Sequence, residues 1–196
     1  MWSSVFFPGI LLLISTAASD SICTVTLSSP EQLDGCSFSP LIAMADQSGW
    51  TLSKPNCGQT VTADLFEVPP ILFFDFAEPE KLYTLVFVDL DGASSSTSSG
   101  QSEDKMFLHW IVVNVPEAAL MQGMTSSDGD IVMDYLPPSA ASYEHRFGFY
   151  LYEQAFGTCY PPMPNSREDF SLTAWIQSIY PEGTLCGPVG AIGFNL

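Results

Sequence analysis

Leu82-Tyr-Thr-Leu-Val-Phe-Val-Asp89 is the stretch on which the fold turns. β-Branched and aromatic residues dominate it and no Gly or Pro interrupts it, which predicts a central strand. The strand ends at Asp89-Leu90-Asp91. Similar runs follow on both sides in the chain: Ile71 to Phe76, Trp110 to Val115, Phe147 to Glu153 and a short returning strand over Val189 to Asn195. Helical spacing is missing between them, so antiparallel packing and a β-rich sandwich are expected, not a doubly wound sheet. One helix is expected after Ser166-Arg-Glu-Asp169, which reads as a capping pattern, with Phe170, Thr173/Ala174, Trp175 and Ile179 on its apolar face and Pro181-Glu-Gly183 as its end.

The remaining text reads as connection. Cys23 to Gln59 mixes short apolar runs with Gly, Pro and Ser and predicts irregular strand and loop, while Glu117 to Tyr135 is mixed, with turn signals at Gly123 and Asp128-Gly129. Gly92 to Asp104 is a Ser-rich polar loop, and Leu136-Pro-Pro-Ser139 is a stiff corner.

The chain of 196 residues is long enough for one well-buried domain and short for two. Its 22 acidic and five basic residues give a net charge of -17, which repels nucleic-acid phosphates and anionic membranes at long range. Trp2 to Ile14 is apolar or small, and Ser15 to Ser19 supplies small residues suited to cleavage. Residues 1–19 are therefore expected to be a secretory signal cut near Ala18 or Ser19, leaving a single secreted domain over 20–196. An uncleaved anchor is disfavoured because the apolar run is shorter than the roughly 20 residues of a span. No Asn-x-Ser/Thr site is present. The five cysteines, Cys23, Cys36, Cys57, Cys159 and Cys186, predict two disulfides and one unpaired thiol. The sequence does not give the pairing; a local N-terminal bridge plus Cys159–Cys186 is the expectation. No cysteine pair has the gap of a zinc knuckle, so no metal is expected.

The chemistry-bearing residues are few. Asp89 and Asp91, two apart at a strand end, would leave the same face, where carboxylates can hold a histidine in a chosen tautomer. The chain has two histidines, His109 and His145, each placed at the entrance of an apolar strand, which suggests a shared pocket. Asp89-x-Asp91, then His109-Trp-Ile-Val-Val-Asn114, then Pro137-Pro138 and His145-Arg-Phe147 leading to Leu151-Tyr-Glu-Gln154 together resemble the phosphatidylethanolamine-binding protein family. The resemblance implies a compact antiparallel β-sandwich with a Greek-key core and a few peripheral helices. It also implies a small anion pocket walled by Asp89, Asp91, His109, Pro138, His145 and Phe147.

Two departures stand out: Asp89-Leu-Asp-Gly-Ala93 lacks the prolines of the family's Asp-Pro-Asp-x-Pro loop, and Phe147 replaces a tyrosine. Glu144 adds a carboxylate near the expected mouth. The implied function is a secreted, non-enzymatic binding protein for a small anion or phospholipid headgroup, held by the histidines and backbone N–H groups. The alternative is a protein-interaction module such as a serine-protease inhibitor or secreted signalling modulator. No cofactor is expected, and the absence of a Gly-x-Ser-x-Gly elbow argues against a hydrolase.

Overall fold

The computed structural model describes residues 33–92, 105–139, 143–182 and 184–196. The expected signal, Cys23 and most of the Ser-rich loop lie outside these. The strands are β1 (Ile42–Met44), β2 (Thr51–Leu52), β3 (Ile71–Phe73), β4 (Leu82–Asp89), β5 (Lys105–Pro116), β6 (Asp130–Met133), β7 (Arg146–Gln154), β8 (Phe170–Ser171) and β9 (Leu185–Asn195). The helices are α1 (Glu117–Gln122) and α2 (Leu172–Gln177). No described helix is long and apolar enough to cross a membrane.

The fold is mainly β, with antiparallel pairing between the named strands. β2-β1-β3 form a small sheet and β6-β5-β4-β7-β9 the path of a large one, with β8 attached to β5. β4, β5 and β6 meander, and β7 returns to lie beside β4, which is the Greek-key order. The pleat then sorts side chains. Leu85 and Phe87 of β4 pack with Leu41, Ala43, Leu52 and Leu72 under the small sheet. Val86 and Val88 pack with Leu172, Trp175 and Ile176 of α2 on the other side. A strand covered on both faces has no polar alternation, which is why β4 reads as an unbroken apolar run. On the small-sheet side an aromatic column crosses the strands: Phe87 stacks on its cross-strand partner Phe149 at 4.1 Å, and Phe147 on its partner Phe194 at 5.2 Å.

β5 starts at Lys105, before the expected Trp110, and is kept in phase by two bulges. Val88 pairs with Leu108 but Phe87 with Trp110, so His109 is an extra residue without a partner on β4. Tyr83 pairs with Val115 but Leu85 with Val112, which puts a second bulge at Asn114, whose φ is +59°. Each bulge shifts the alternation by one.

Three expectations are corrected. Cys36 is bonded to Cys57, the local bridge, but Cys159 is a free buried thiol and Cys186 is disulfide-bonded elsewhere. Cys159 instead sits beside a polar cluster and gives its main-chain groups to Asn114. The cap of α2 is Ser171, whose Oγ accepts from the Ala174 N–H; Ser166 closes only a local turn with Glu168, and β8 intervenes. Finally, α1 stands inside the mixed stretch whose turn signals predict no helix, and it docks on β3, the Phe74 N–H donating to the Leu120 carbonyl.

Candidate functional site

The site forms where β4 ends. Asp89 lies between Phe107 of β5 and Phe147 of β7, its direct partners on the two sides, so these three side chains share a face. The bulge turns His109 onto that face too, within 5.0 Å of the Phe87 and Phe107 rings and 5.5 Å of Phe147. A β-bulge is a standard way to re-aim a side chain beside a functional site.

Asp89, Gly92, Phe107, His109, Leu136, Pro137, Ser139, His145 and Phe147 wall a cavity of about 220 Å³. Of the residues expected from the sequence, the fold brings Asp89, His109, His145 and Phe147 together here. Asp91 and Pro138 are not among the walls. Asp91 instead takes the Arg146 guanidinium at 2.9 and 2.7 Å and the Arg146 N–H at 2.9 Å, and Pro138 is buried while Pro137 faces the cavity. Glu144 is also drawn away, accepting from Thr60 Oγ1 and Asn195 Nδ2. His145 directly precedes β7, whereas His109 lies well inside β5 and not at its entrance.

The two imidazoles are held differently. His145 Nδ1 lies 2.6 Å from Asp89 Oδ2, and the other Asp89 oxygen accepts from the Asp91 N–H at 2.9 Å. His145 Nε2 is buried and has no hydrogen-bond partner among the described residues. Burial raises the Asp89 pKa, a cost that the hydrogen bonds from His145 and Asp91 reduce without cancelling. Asp91 is partly buried as well, but its hydrogen bonds from Arg146 outweigh that and hold its carboxyl below the usual range. His109 Nδ1 lies 2.8 Å from the Leu136 carbonyl, and a carbonyl can only accept, so Nδ1 carries the proton. Nε2 is then the ring atom left for anything in the cavity. Burial, with a smaller push from the Arg167 charge, lowers the His109 pKa to about 4, so the ring is neutral at neutral pH.

Several contributors escaped the sequence reading: the wall residues Leu136, Pro137 and Ser139, and also Phe107, Gly92 and Arg167. Phe107 and Arg167 had no motif to announce them. Gly92 had a signal, a glycine next to paired aspartates, because a Cβ there would come 2.6 Å from Phe107 Cβ and 2.7 Å from Asp89 Oδ2. Gly92→Ala should therefore displace the Asp89 carboxylate, cost about 1–3 kcal/mol and shift the His145 ring resonances; a variant with wild-type stability and unchanged His145 signals contradicts this close packing.

Fold and cavity define a class: a two-sheet β protein with a small histidine- and aspartate-walled cavity at one end of its central strands. The chain belongs to the phosphatidylethanolamine-binding protein family, whose model matches residues 43–180. It is 31% identical over 142 residues to Protein MOTHER of FT and TFL1 homolog 2 of Oryza sativa subsp. japonica, covering 70% of this chain and 74% of that one. It is 30% identical over 128 residues to a 26 kDa secreted antigen of Toxocara canis, covering 61% of this chain and 45% of the antigen. Among solved structures, it resembles carboxypeptidase Y inhibitor, crystallised with its cognate proteinase, with a TM-score of 0.59, 17% identity and coverage of 81% and 83% of the two chains. It also resembles the phosphatidylethanolamine-binding protein of Plasmodium vivax, with a TM-score of 0.54, 19% identity and coverage of 79% and 84%. At such identities the two structural likenesses are of fold alone.

Proposed function

We propose that this is a secreted, non-enzymatic binding protein whose cavity takes a small anion or a phospholipid headgroup. The observation that carries the reading is the convergence of both histidines of the chain and Asp89 on one cavity of about 220 Å³, a size suited to a headgroup and not to a lipid tail. The disulfide between Cys36 and Cys57 fits an oxidising compartment. Asp89 orients His145 as a carboxylate orients a general base, but among the described residues no hydroxyl or thiol hydrogen-bonds to Nε2, so no nucleophile stands against the pair there. The likeness to carboxypeptidase Y inhibitor carries no partner over to this chain.

The neutral state of His109 sets the pH dependence. With His109 titrating at about 4, the ring becomes a cation only well below the ordinary imidazole value. Asp89 loses its negative charge in the same direction. Affinity for inorganic phosphate, which stays anionic throughout, is therefore expected to rise as pH falls from 7 to 4.5. Histidine NMR signals should move on titration with phosphate or phosphorylethanolamine. Signals of both rings that stay still at millimolar concentrations of either compound would sink the anion reading.

A further inference from the structure

The outer edge of β5 has a gap. β8 pairs with Lys105 and Met106, and β6 pairs only from Ile111 onward, so among the described residues no strand pairs with the bulge around His109 on that side. Its carbonyls need donors. Arg167 supplies them: Nη1 donates to the Leu108 carbonyl at 3.2 Å and to the His109 carbonyl at 2.8 Å, while Nη2 donates to the Asp134 carbonyl at 2.7 Å. The Arg167 carbonyl in turn accepts the Leu108 N–H at 2.9 Å. Asp134 begins the segment that carries Leu136, Pro137 and Ser139 into the cavity wall. Leu136 closes the circuit, its N–H donating to the His109 carbonyl at 2.9 Å and its own carbonyl taking His109 Nδ1 at 2.8 Å.

We infer that Arg167 is the positioning residue of this site: its guanidinium fastens the His109 bulge to the 134–139 wall, and so fixes which ring nitrogen of His109 the cavity meets. The inference rests on the reading of the cavity as a binding site only for its consequence; the clamp itself is a matter of geometry. The planar fork suits the task, because three carbonyls from two segments are met by one rigid group, which a lysine ammonium on a flexible stem cannot reproduce. The consequence is selective. With Nδ1 held on Leu136, a neutral His109 offers the ligand a lone pair at Nε2, so the ligand atom placed there must bring a hydrogen: a protonated phosphate oxygen, a hydroxyl or an ammonium. Besides Arg167 on the His109 carbonyl, the titratable groups that share the cavity with His109 among the described residues are Asp89 and His145.

The test uses the full chain, labelled with nitrogen-15, as wild type, Arg167→Gln and Arg167→Lys. In the wild type His109 should show the Nδ1–H tautomer down to about pH 4, and the Arg167 Nη signals should be separate through restricted rotation. In Arg167→Gln the His109 ring should sample both tautomers, and its proton affinity should rise about tenfold, or one pH unit. Arg167→Lys keeps the charge, so it should average the tautomers with a smaller change in proton affinity. Wild-type tautomer and titration in both variants, or a freely rotating guanidinium in the unmodified protein, would overturn the inference. Phosphate added to the same samples separates the two readings. A wild type that ignores phosphate while Arg167→Gln loosens His109 overturns the anion reading and supports the clamp.

Discussion

Asn114→Ala is expected to lose about 4 kcal/mol of unfolding free energy, measured from urea unfolding at neutral pH, the sum of several hydrogen bonds at about 1 kcal/mol each and a backbone penalty. Asn114 Nδ2 donates to Asp130 Oδ2 at 2.7 Å and to the Cys159 carbonyl at 2.9 Å. Its Oδ1 accepts from Gln154 Nε2 at 2.8 Å and from the Cys159 N–H at 2.9 Å. Gln154 is almost wholly buried, and its Oε1 accepts from the Asn114 N–H and from Thr84 Oγ1 while its Nε2 also donates to the Gly157 carbonyl. Both side-chain amides, of Asn114 and Gln154, are fully matched, so truncation of Asn114 leaves the buried Gln154 amide short of a partner. Asn114 also stands at φ +59°, which asparagine tolerates better than alanine.

Two companion variants divide the effect. Asn114→Gly keeps the backbone and loses the network, so it should recover only about 1 kcal/mol of the alanine loss. Asn114→Asp keeps an acceptor for Gln154 and Cys159 but turns a second carboxylate oxygen toward Asp130, so it should be destabilised and should recover as pH falls. An alanine variant within about 1 kcal/mol of wild type would mean that the cluster contributes little.

This network shows what the sequence could and could not disclose. β4 was legible because burial on both faces writes itself as an apolar run. β5 was legible as a strand but its bulges were not recognised, although their trace is present: Met106 and Leu108 face α2, Trp110 and Val112 face the small sheet, and the phase slips at His109 between them. A strand read as starting at Trp110 leaves His109 at its entrance instead of inside it. α1 also left a trace, since Glu117-Ala-Ala-Leu-Met-Gln122 consists of strong helix formers after a proline; the Gly123 that reads as a turn is its C-cap, with φ +108°. The Cys159 error has another origin. Proximity in sequence says little about which thiols a sheet brings within bonding distance, and Cys159 lies on a loop tied to Asn114 and Gln154. Arg167 had no readable signal at all, because its partners are main-chain carbonyls, which every residue carries.

The acid side of the stability curve should bear the mark of His109. Its pKa is about 4 in the folded protein, below the ordinary imidazole value of 6.5 that holds in the unfolded chain, so between these values the unfolded state binds the extra proton. The stability this represents is fully present above pH 6.5 and is lost as pH falls through the window to about 4. A difference of about 2.5 units corresponds to about 3 kcal/mol, a large fraction of the total for a domain of this size. His109→Gln removes the titration while an amide can still donate to the Leu136 carbonyl. The carboxylates that protonate in the same range are common to both proteins, so they cancel in the difference between the two stability curves. The gap between wild type and variant should therefore narrow by about 3 kcal/mol from pH 7.5 to pH 4, read by urea midpoints. A gap that stays constant over that range would place His109 at its ordinary pKa, and the cavity would then already hold a readily charged imidazole near neutral pH. That result would remove the reason for expecting weak anion binding at pH 7, so the stability curve of the empty protein bears directly on the ligand.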